Sequence, residues 1–434
     1  RLGFFQFAYF GHVMKNTFGK IFDKGSGEGN INPFKAACTA LASTLGVGNI
    51  AGVSVAIATG GPGAVFWMWF IAMLGLIVKF SEVTLGLAYR EKDPVSGVWH
   101  GGFPWYVKHG LGDNWRWLSV IWAVTMAAGM MFAPSIQAAE ISNAINTAFA
   151  VNPYIVGITV AVLMAAVLLG GLKSVSNFAN LVVPFMAIIY IIGALFVIIV
   201  NIDMIPHAFA LIFKDAFTGA AAEGGFAGGT VMLAVRWGLA RGVYSNEAGV
   251  GSTIAGHCTA DTDHPIRQAQ FGIFEVFMDT IVICTITALA VLASGVWTQE
   301  GLSSGQLALA AFQSVFGNFG AIFVAITVFM FVFSTIISAG FFGQIQAEIL
   351  FGRKFSKIWV FMYPLFIGIA CAFSNVTTMY MITDGFMAII VILNMIGLLL
   401  MCKQVKDLQK EYYNTPGMYY LADKAAKEAK KAAK

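Results

Sequence analysis

The sequence predicts an all-α polytopic membrane protein of ten spans, arranged as two halves of five, and three observations carry that prediction. Hydrophobic residues make up 58% of the 434, and charged residues only 11%, against roughly 25% charged in soluble domains. The charge that remains is segregated along the chain, as expected when loops alternate across a bilayer. The first and sixth apolar segments are both broken by glycines and polar residues: Ala42-Ser-Thr-Leu-Gly-Val-Gly-Asn-Ile-Ala-Gly52 and Trp237-Gly-Leu-Ala-Arg-Gly-Val-Tyr-Ser-Asn-Glu-Ala-Gly249. A weak echo, Asn49-Ile-Ala-Gly52 and Asn246-Glu-Ala-Gly249, fits an internal duplication.

In chain order, residues 1–34 mix aromatics with Lys15, Lys20 and Lys24 and read as an interfacial arm. A ten-helix domain over 35–402 follows, one repeat over 35–200 and the other over 227–402. Each span is placed where about 20 apolar residues can cross the hydrocarbon: near 35–59, 63–89, 117–149, 153–171, 178–200, 227–256, 267–295, 319–350, 357–374 and 378–402. The connection 90–116 carries Trp99, Trp105 and Trp115 among charges, as an interfacial helix would. Residues 302–318 read as a lid over the outer ends of the helices. Residues 403–434 form a basic tail, and 423–434 are an Ala/Lys/Glu helix-former.

The loops on one side hold Lys15, Lys20, Lys24, Lys35, Arg90, Lys92, Lys108, Arg116, Lys173, Arg267, Arg353, Lys354, Lys357 and the lysines of the tail; the other side holds Lys214. Basic loops stay in the cytoplasm, which predicts a multi-pass cell-membrane protein with both ends inside. Cys38, Cys258, Cys284, Cys371 and Cys402 are scattered without a CxxC pair, so neither a disulfide framework nor a thiolate metal site is supported. Gly46-Val-Gly-Asn-Ile-Ala51 fits the GxGxxA dinucleotide pattern, but it lies in an apolar span without the strand–turn–helix context that gives the pattern meaning. HExxH, GxSxG and GxxxxGK[ST] are missing from the sequence, and an enzyme is not expected. Acidic residues are interleaved with the basic ones in the tail, so nucleic-acid binding has no support.

A glycine inside a helix costs roughly 1 kcal/mol against alanine, so Gly46 and Gly48 beside Thr44 and Asn49 mark a place where the helix is left. Irregular backbone at membrane depth is tolerated where protein or a watery cavity receives its polar groups. Paired interruptions in two halves therefore point to a site for a small polar ligand near the midplane.

Gly60-Gly-Pro-Gly-Ala-Val-Phe-Trp-Met-Trp69, ending at Gly75, resembles the signature of the alanine or glycine:cation symporter family. So do Thr44–Gly52 and Arg241–Gly256, and the resemblance runs over essentially the whole chain. Phe70 departs from the pattern, which usually has an aliphatic residue there; such a position faces lipid or a neighbouring helix. More distantly, Gly46-Val-Gly-Asn49 followed by Gly60-Gly-Pro-Gly63 resembles neurotransmitter:sodium symporters. The resemblance implies the leucine-transporter (LeuT) fold, an inverted repeat of five plus five helices with the first and sixth unwound. It also implies a further helix ahead of the first broken span, which would explain a start at Arg1. The implied function is secondary active, sodium-coupled symport of small neutral amino acids, alanine or glycine, by alternating access.

On that resemblance, the half-helix N-terminus near Gly46–Asn49 offers N–H groups and about +0.5 of dipole charge to a carboxylate. Carbonyls near Ala42–Thr44 and Trp237–Arg241 accept from an ammonium. Thr44, Leu45, Gly46, Gly48, Asn49, Gln137, Trp237, Ala240 and Gly242 form the expected substrate-binding set. Gln137 either reaches the carboxylate or ties two helices together, and Trp237 is either an aromatic gate or packing. The implied sodium ligands are the carbonyls of Ala42, Leu45 and Phe331 with the hydroxyls of Ser334 and Thr335; alternatively, those hydroxyls bond back to their own helix.

Lys79 and Glu82, i and i+3 on the second span, are expected to pair. Glu275 and Asp279 are either a proton-sensitive pair or partners for helix termini and basic groups. Arg241, Glu247, Glu140, Glu348 and Asp384 are candidates for internal gating pairs. Two rival functions share this composition. A proton-coupled symporter would use Glu275, Asp279 or Glu140 as carrier. A channel-like pore would need a continuous polar stripe, whereas the polar residues concentrate at the two breaks.

Overall fold

The computed structural model describes residues 2–22, 25, 27–218, 231–299, 302, 304–373, 376–415 and 418. The helix expected over 423–434 lies outside them. Among the described residues, six helices are long and apolar enough to cross a bilayer. The second span is Ala64–Ala88, the third Arg116–Phe149, the fifth Gly171–Val200, the seventh Pro265–Ala293, the eighth Asn318–Phe351 and the tenth Val376–Leu400. The fourth, Pro153–Leu169, and ninth, Arg353–Ala370, are shorter. The first is split into Pro33–Thr44 and Ala51–Gly60, and the sixth into Val231–Asn246 and Ile254–His257.

Three spans start on the same chemistry, a capping side chain followed by proline. Asn32 Oδ1 accepts the Lys35 amide at 2.7 Å, Asn152 Oδ1 the Tyr154 amide at 2.9 Å, and His264 Nδ1 the Ile266 amide at 3.1 Å. Each cap satisfies an amide that helical geometry orphans, and proline at the first helical position has no amide to lose. The fifth span begins seven residues before the expected Phe178. Gly171, at φ +60°, turns the corner in the left-handed region open to glycine, and polar Lys173–Asn177 is already helical. The seventh span loosens to π-helix over Phe277–Cys284.

The spans sort into two packed groups. The second lies along the sixth and seventh with the Ala51–Gly60 half of the first; the third and fourth lie along the eighth and ninth. The fifth packs on the first and eighth, and the tenth on the third. The fourth and ninth cross where Gly157 meets Gly368: a Cβ on Gly157 would stand 2.2 Å from the Gly368 carbonyl oxygen. Helices that share no hydrophobic drive to associate in lipid rely on such close backbone approach.

The first residues form helices Phe5–Ala8 and Phe10–Thr17, and the tail begins with Cys402–Asn414. They close on each other against the second and seventh spans: the Phe5 ring lies 4.8 Å from Phe80 and 5.4 Å from Tyr413, and His12 Nε2 is 3.0 Å from the Tyr412 hydroxyl. The 90–116 connection is a hairpin, Glu91–Lys92 with Trp99–His100, followed by the helix Phe103–Leu111. The lid contains the helix Leu307–Phe316, whose Ala308 amide donates to Ser54 Oγ at 3.1 Å. Phe70 is exposed, facing out from the second span.

Replacing Gly157 with leucine should lower stability by about 1–3 kcal/mol, read as a lower melting temperature in detergent; an unchanged melting temperature would contradict this crossing.

Candidate functional site

The first span stops being helical after Thr44. Leu45 and Gly46 are extended, Val47–Asn49 make one 3-10 turn, and the helix resumes at Ala51. The amides that would close the next helical turn go elsewhere. Gly46 N–H donates to Asn49 Oδ1 at 2.9 Å, and Val47 N–H points to Gln137 Oε1 at 3.5 Å. The Ala42 carbonyl thus loses its usual helical donor. Gly46 is required by proximity: a Cβ there would stand 2.7 Å from both Gln137 Oε1 and Thr335 Oγ1.

The sixth span breaks later than its glycines suggest. Helix continues through Asn246, so the carbonyls of Trp237–Arg241 lie within it rather than at a free C-terminus. Gly238 and Gly242 are contact points instead: a Cβ would lie 2.4 Å from the Ala64 carbonyl oxygen at Gly238 and from Ile71 Cγ2 at Gly242. The break itself is Glu247–Thr253, with φ +51° at Glu247, +90° at Gly249 and +82° at Gly251. A glutamate in the left-handed region is uncommon, and three partners fix it. Lys79 Nζ donates to its carbonyl at 3.0 Å, Ser43 Oγ to its carboxylate at 3.2 Å, and Ser252 Oγ also to its carboxylate.

The two breaks meet on the π-helical part of the seventh span. Asn49 Nδ2 lies 2.7 Å from Asp279 Oδ1 and 3.0 Å from Ser245 Oγ, which itself donates to Asp279 Oδ1 at 3.0 Å. Asn246 Nδ2 donates to the neighbouring Thr280 hydroxyl at 3.1 Å. The two asparagines of the sequence echo therefore end on adjacent residues. Glu275, one turn away, instead faces His257 Nε2 at 2.9 Å and Lys79 Nζ at 3.5 Å. Glu275 and Asp279 bond to different partners. Glu82, at 3.9 Å, is not the nearest partner of Lys79.

A cavity of about 20 Å³ lies between the breaks, lined by Thr44, Gly46 and Gly48 with Gln137, Tyr244, Glu247, Thr335 and Met387 among others. That volume suits one water, not an amino acid. A second cavity of about 770 Å³ sits one helical turn along, lined by Val47, Glu140, Trp237, Arg241, Gln306 and Asp384 among others. Asn143, Asn146, Thr147 and Asp384 on its wall are exposed, so it is a vestibule on the face carrying the lid helix. Between the cavities the Arg241 guanidinium lies 5.2 Å from the Trp237 ring centroid and 5.3 Å from that of Tyr244, and 3.1 Å from Asp384 Oδ2. This pair bridges the sixth and tenth spans. Glu140 stands in the vestibule, while Glu348 pairs with Arg353 at 3.3 Å, away from both cavities.

Four of the five expected cation ligands, Leu45, Phe331, Ser334 and Thr335, lie together. Thr335 Oγ1 lies 3.1 Å from the Leu45 carbonyl and 3.0 Å from that of Phe331, and Ser334 Oγ lies 2.8 Å from the Phe331 carbonyl. Each hydroxyl bonds back to its own helix, and Thr335 also reaches the first span. One Thr335 proton serves one carbonyl at a time; with Ser334 donating to the Phe331 carbonyl, it can serve that of Leu45, and every oxygen of the cluster keeps a lone pair.

Of the expected substrate set, Thr44, Gly46, Gly48 and Gln137 line the small cavity, and Trp237 lines the vestibule. Leu45 turns its carbonyl to Thr335, and Asn49 is spent on holding the break. Ala240 is exposed on intact helix and Gly242 faces the second span. The sequence reading missed Ser43, Met130, Ala133, Pro134, Tyr244, Ala339 and Met387 as lining residues, and treated Glu247 only as a gate. The close pair Gly249 and Gly251, followed by Ser252 and Thr253, is the signal that would have located the second break.

The family model described as the sodium:alanine symporter family matches residues 1–422. The uncharacterized transporter YflA of Bacillus subtilis is 41% identical over 421 residues, covering 96% of this chain and 88% of the relative. The sodium/alanine symporter AgcS of Methanococcus maripaludis is 37% identical over 420 residues, covering 95% and 90%. The probable sodium/glutamine symporter GlnT of Bacillus subtilis is 37% identical over 388 residues, covering 88% and 79%. Among solved structures, MhsT in complex with L-phenylalanine superposes with a TM-score of 0.66 at 13% identity, over 90% of this chain and 94% of that one. A sodium-coupled sialic acid symporter superposes at 0.60 with 12% identity, over 92% and 88%. At such identities the likeness shows the fold alone, and that fold is the LeuT arrangement of two five-helix halves with broken first and sixth helices. With its family model matched almost end to end and relatives above one-third identity, the chain belongs to the sodium:alanine symporter family, as a multi-pass membrane protein and not an enzyme.

Proposed function

We propose that this protein is a secondary active transporter that couples sodium entry to uptake of a small neutral amino acid, alanine or glycine, by alternating access. The observation that carries the reading is the cluster of Leu45, Phe331, Ser334 and Thr335 oxygens one residue from Gly46 in the small cavity. Carbonyl and hydroxyl oxygens, each with a lone pair to spare, suit a monovalent hard cation. The Ala42 carbonyl, deprived of its helical donor, completes the set.

The amino acid would lie between Thr44–Gly48 and Glu247. Its ammonium would meet the Glu247 carboxylate and the freed carbonyls of the first span, and its carboxylate would meet Gln137 and the amides of the break. Met130, Tyr244 and Met387 on the opposite walls would confine the side chain to a small one. Because the cavity holds about 20 Å³, the binding state must be a dilated one. Separation of Arg241 from Asp384 would open its floor toward the vestibule. The positive-inside rule puts the vestibule outside and both ends of the chain in the cytoplasm. Sodium drawn to the carbonyl of Leu45 orders the backbone that also receives the substrate, so each ligand raises affinity for the other by the same factor. Asp279 and Glu275 are engaged by buried partners, which favours sodium over a proton as the driving ion.

The direct test is uptake of labelled alanine by reconstituted protein with sodium, lithium and proton gradients imposed separately. Sodium-driven, saturable uptake is expected, and uptake driven only by protons, or non-saturable flux, would discard the reading. Thr335→Ala should raise the sodium concentration for half-maximal alanine binding by about tenfold, the scale of one lost ligand at about 1.4 kcal/mol; an unchanged sodium dependence would remove Thr335 from the cation position. Gly46→Ala should abolish alanine binding in protein that still elutes as a single species, because its Cβ would displace Gln137 and Thr335; retained affinity would move the pocket elsewhere.

A further inference from the structure

Lys79 sits where the sixth span breaks, wholly buried in the second span. Its ammonium lies 2.9 Å from Thr253 Oγ1, 3.0 Å from the Glu247 carbonyl, 3.5 Å from Glu275 Oε1 and 3.9 Å from Glu82 Oε2. A carbonyl of unwound backbone, a hydroxyl and two carboxylates are the oxygen set that a bound cation would take. Both carboxylates are anchored from the far side: His257 holds Glu275, and the Asn394 amide donates to Glu82 while also reaching the Gly249 carbonyl at 2.8 Å. The lysine stem is wedged over the seventh span, where a Cβ on Gly272 would stand 3.1 Å from Lys79 Cγ.

We propose that the Lys79 ammonium is a resident cation of the sixth-span break, occupying the nest that a second transported ion would otherwise fill, so that one sodium moves with each amino acid. The inference rests on the sodium-coupled function proposed above. Beside the break of the first span, the Leu45, Phe331, Ser334 and Thr335 oxygens are neutral and are bonded to one another rather than to a cationic side chain, so an ion there must come from solution and can leave again. The break of the sixth span carries its positive charge on a covalent stem, so that charge stabilises the Glu247–Thr253 backbone in every state of the cycle and never crosses the membrane. Without the ammonium, Glu82 and Glu275 would face the Glu247 carbonyl with their charge uncompensated, and a sodium ion would be drawn in.

The experiment is flux-null measurement in proteoliposomes clamped at zero membrane potential, with labelled alanine. An inward sodium gradient of about tenfold should be balanced by an outward alanine gradient of about tenfold for the wild-type protein, as one-to-one coupling requires, and by about a hundredfold for Lys79→Ala. In the variant the sodium dependence of uptake should also steepen from first toward second order. A hundredfold null in the wild type overturns the proposal, and so does a variant that transports with the wild-type null and first-order sodium dependence. A variant too unstable to transport is read by its melting temperature, which sodium chloride in place of choline chloride must raise more than it raises that of the wild type; an equal rise overturns the proposal. A wild type that shows no sodium-driven flux at all overturns the functional reading itself, and this inference with it.

Discussion

The structure depends on one constraint: peptide groups that leave a helix at membrane depth must find partners within the protein, because lipid supplies none. Both breaks meet it with side chains from other spans. Asn49 closes the first break on itself through the Gly46 amide and fastens it to Asp279. Lys79 and Asn394 take the Glu247 and Gly249 carbonyls of the second. Each unsatisfied group would cost several kcal/mol, so the polar residues of the second, seventh and tenth spans are fixed in kind by the backbone they serve.

That economy explains why many ionisable residues at membrane depth are structural rather than mobile. Glu82, Glu275, His257 and Lys79 form one cluster behind the sixth-span break, and Asp279, Ser245 and Asn49 another behind the first. What faces the cavities is different: Gln137, Glu247 and Thr335 in the inner one, Arg241, Asp384 and Glu140 in the vestibule. The proposed substrate and cation positions share Leu45, next to Gly46 in the chain, and this gives the proposed coupling a covalent basis. The seams between the two groups of spans run through the same place, since the first and sixth spans belong to one and Gln137 and Thr335 to the other. A ligand held across that seam would stabilise one relative arrangement of the groups over another.

Much of this was legible in the sequence, for particular reasons. Prolines 33, 153 and 265, each after a capping residue, fix three helix starts by local chemistry. Gly46 and Gly48 beside Asn49 break the first span where they stand. The second break was read too early because Gly238 and Gly242, at i and i+4, look like helix breakers yet serve as a small-residue face for close contact with the second span. Propensity does not distinguish a glycine chosen for its backbone from one chosen for its missing side chain. Neighbouring positive-φ glycines, as at 249 and 251, are the better sign of unwinding.

By itself the sequence determined the ten apolar segments, the alternation of charge between them and the two interrupted spans, because length, charge and glycine content act locally. Tertiary structure alone decided the pairings: Lys79 with the unwound sixth span rather than chiefly with Glu82, Glu275 with His257, Arg241 with Asp384 and Thr335 with Leu45. Those contacts join residues of different spans, most of them far apart in the chain, and their geometry follows from how the spans cross. No periodicity within a single helix encodes that.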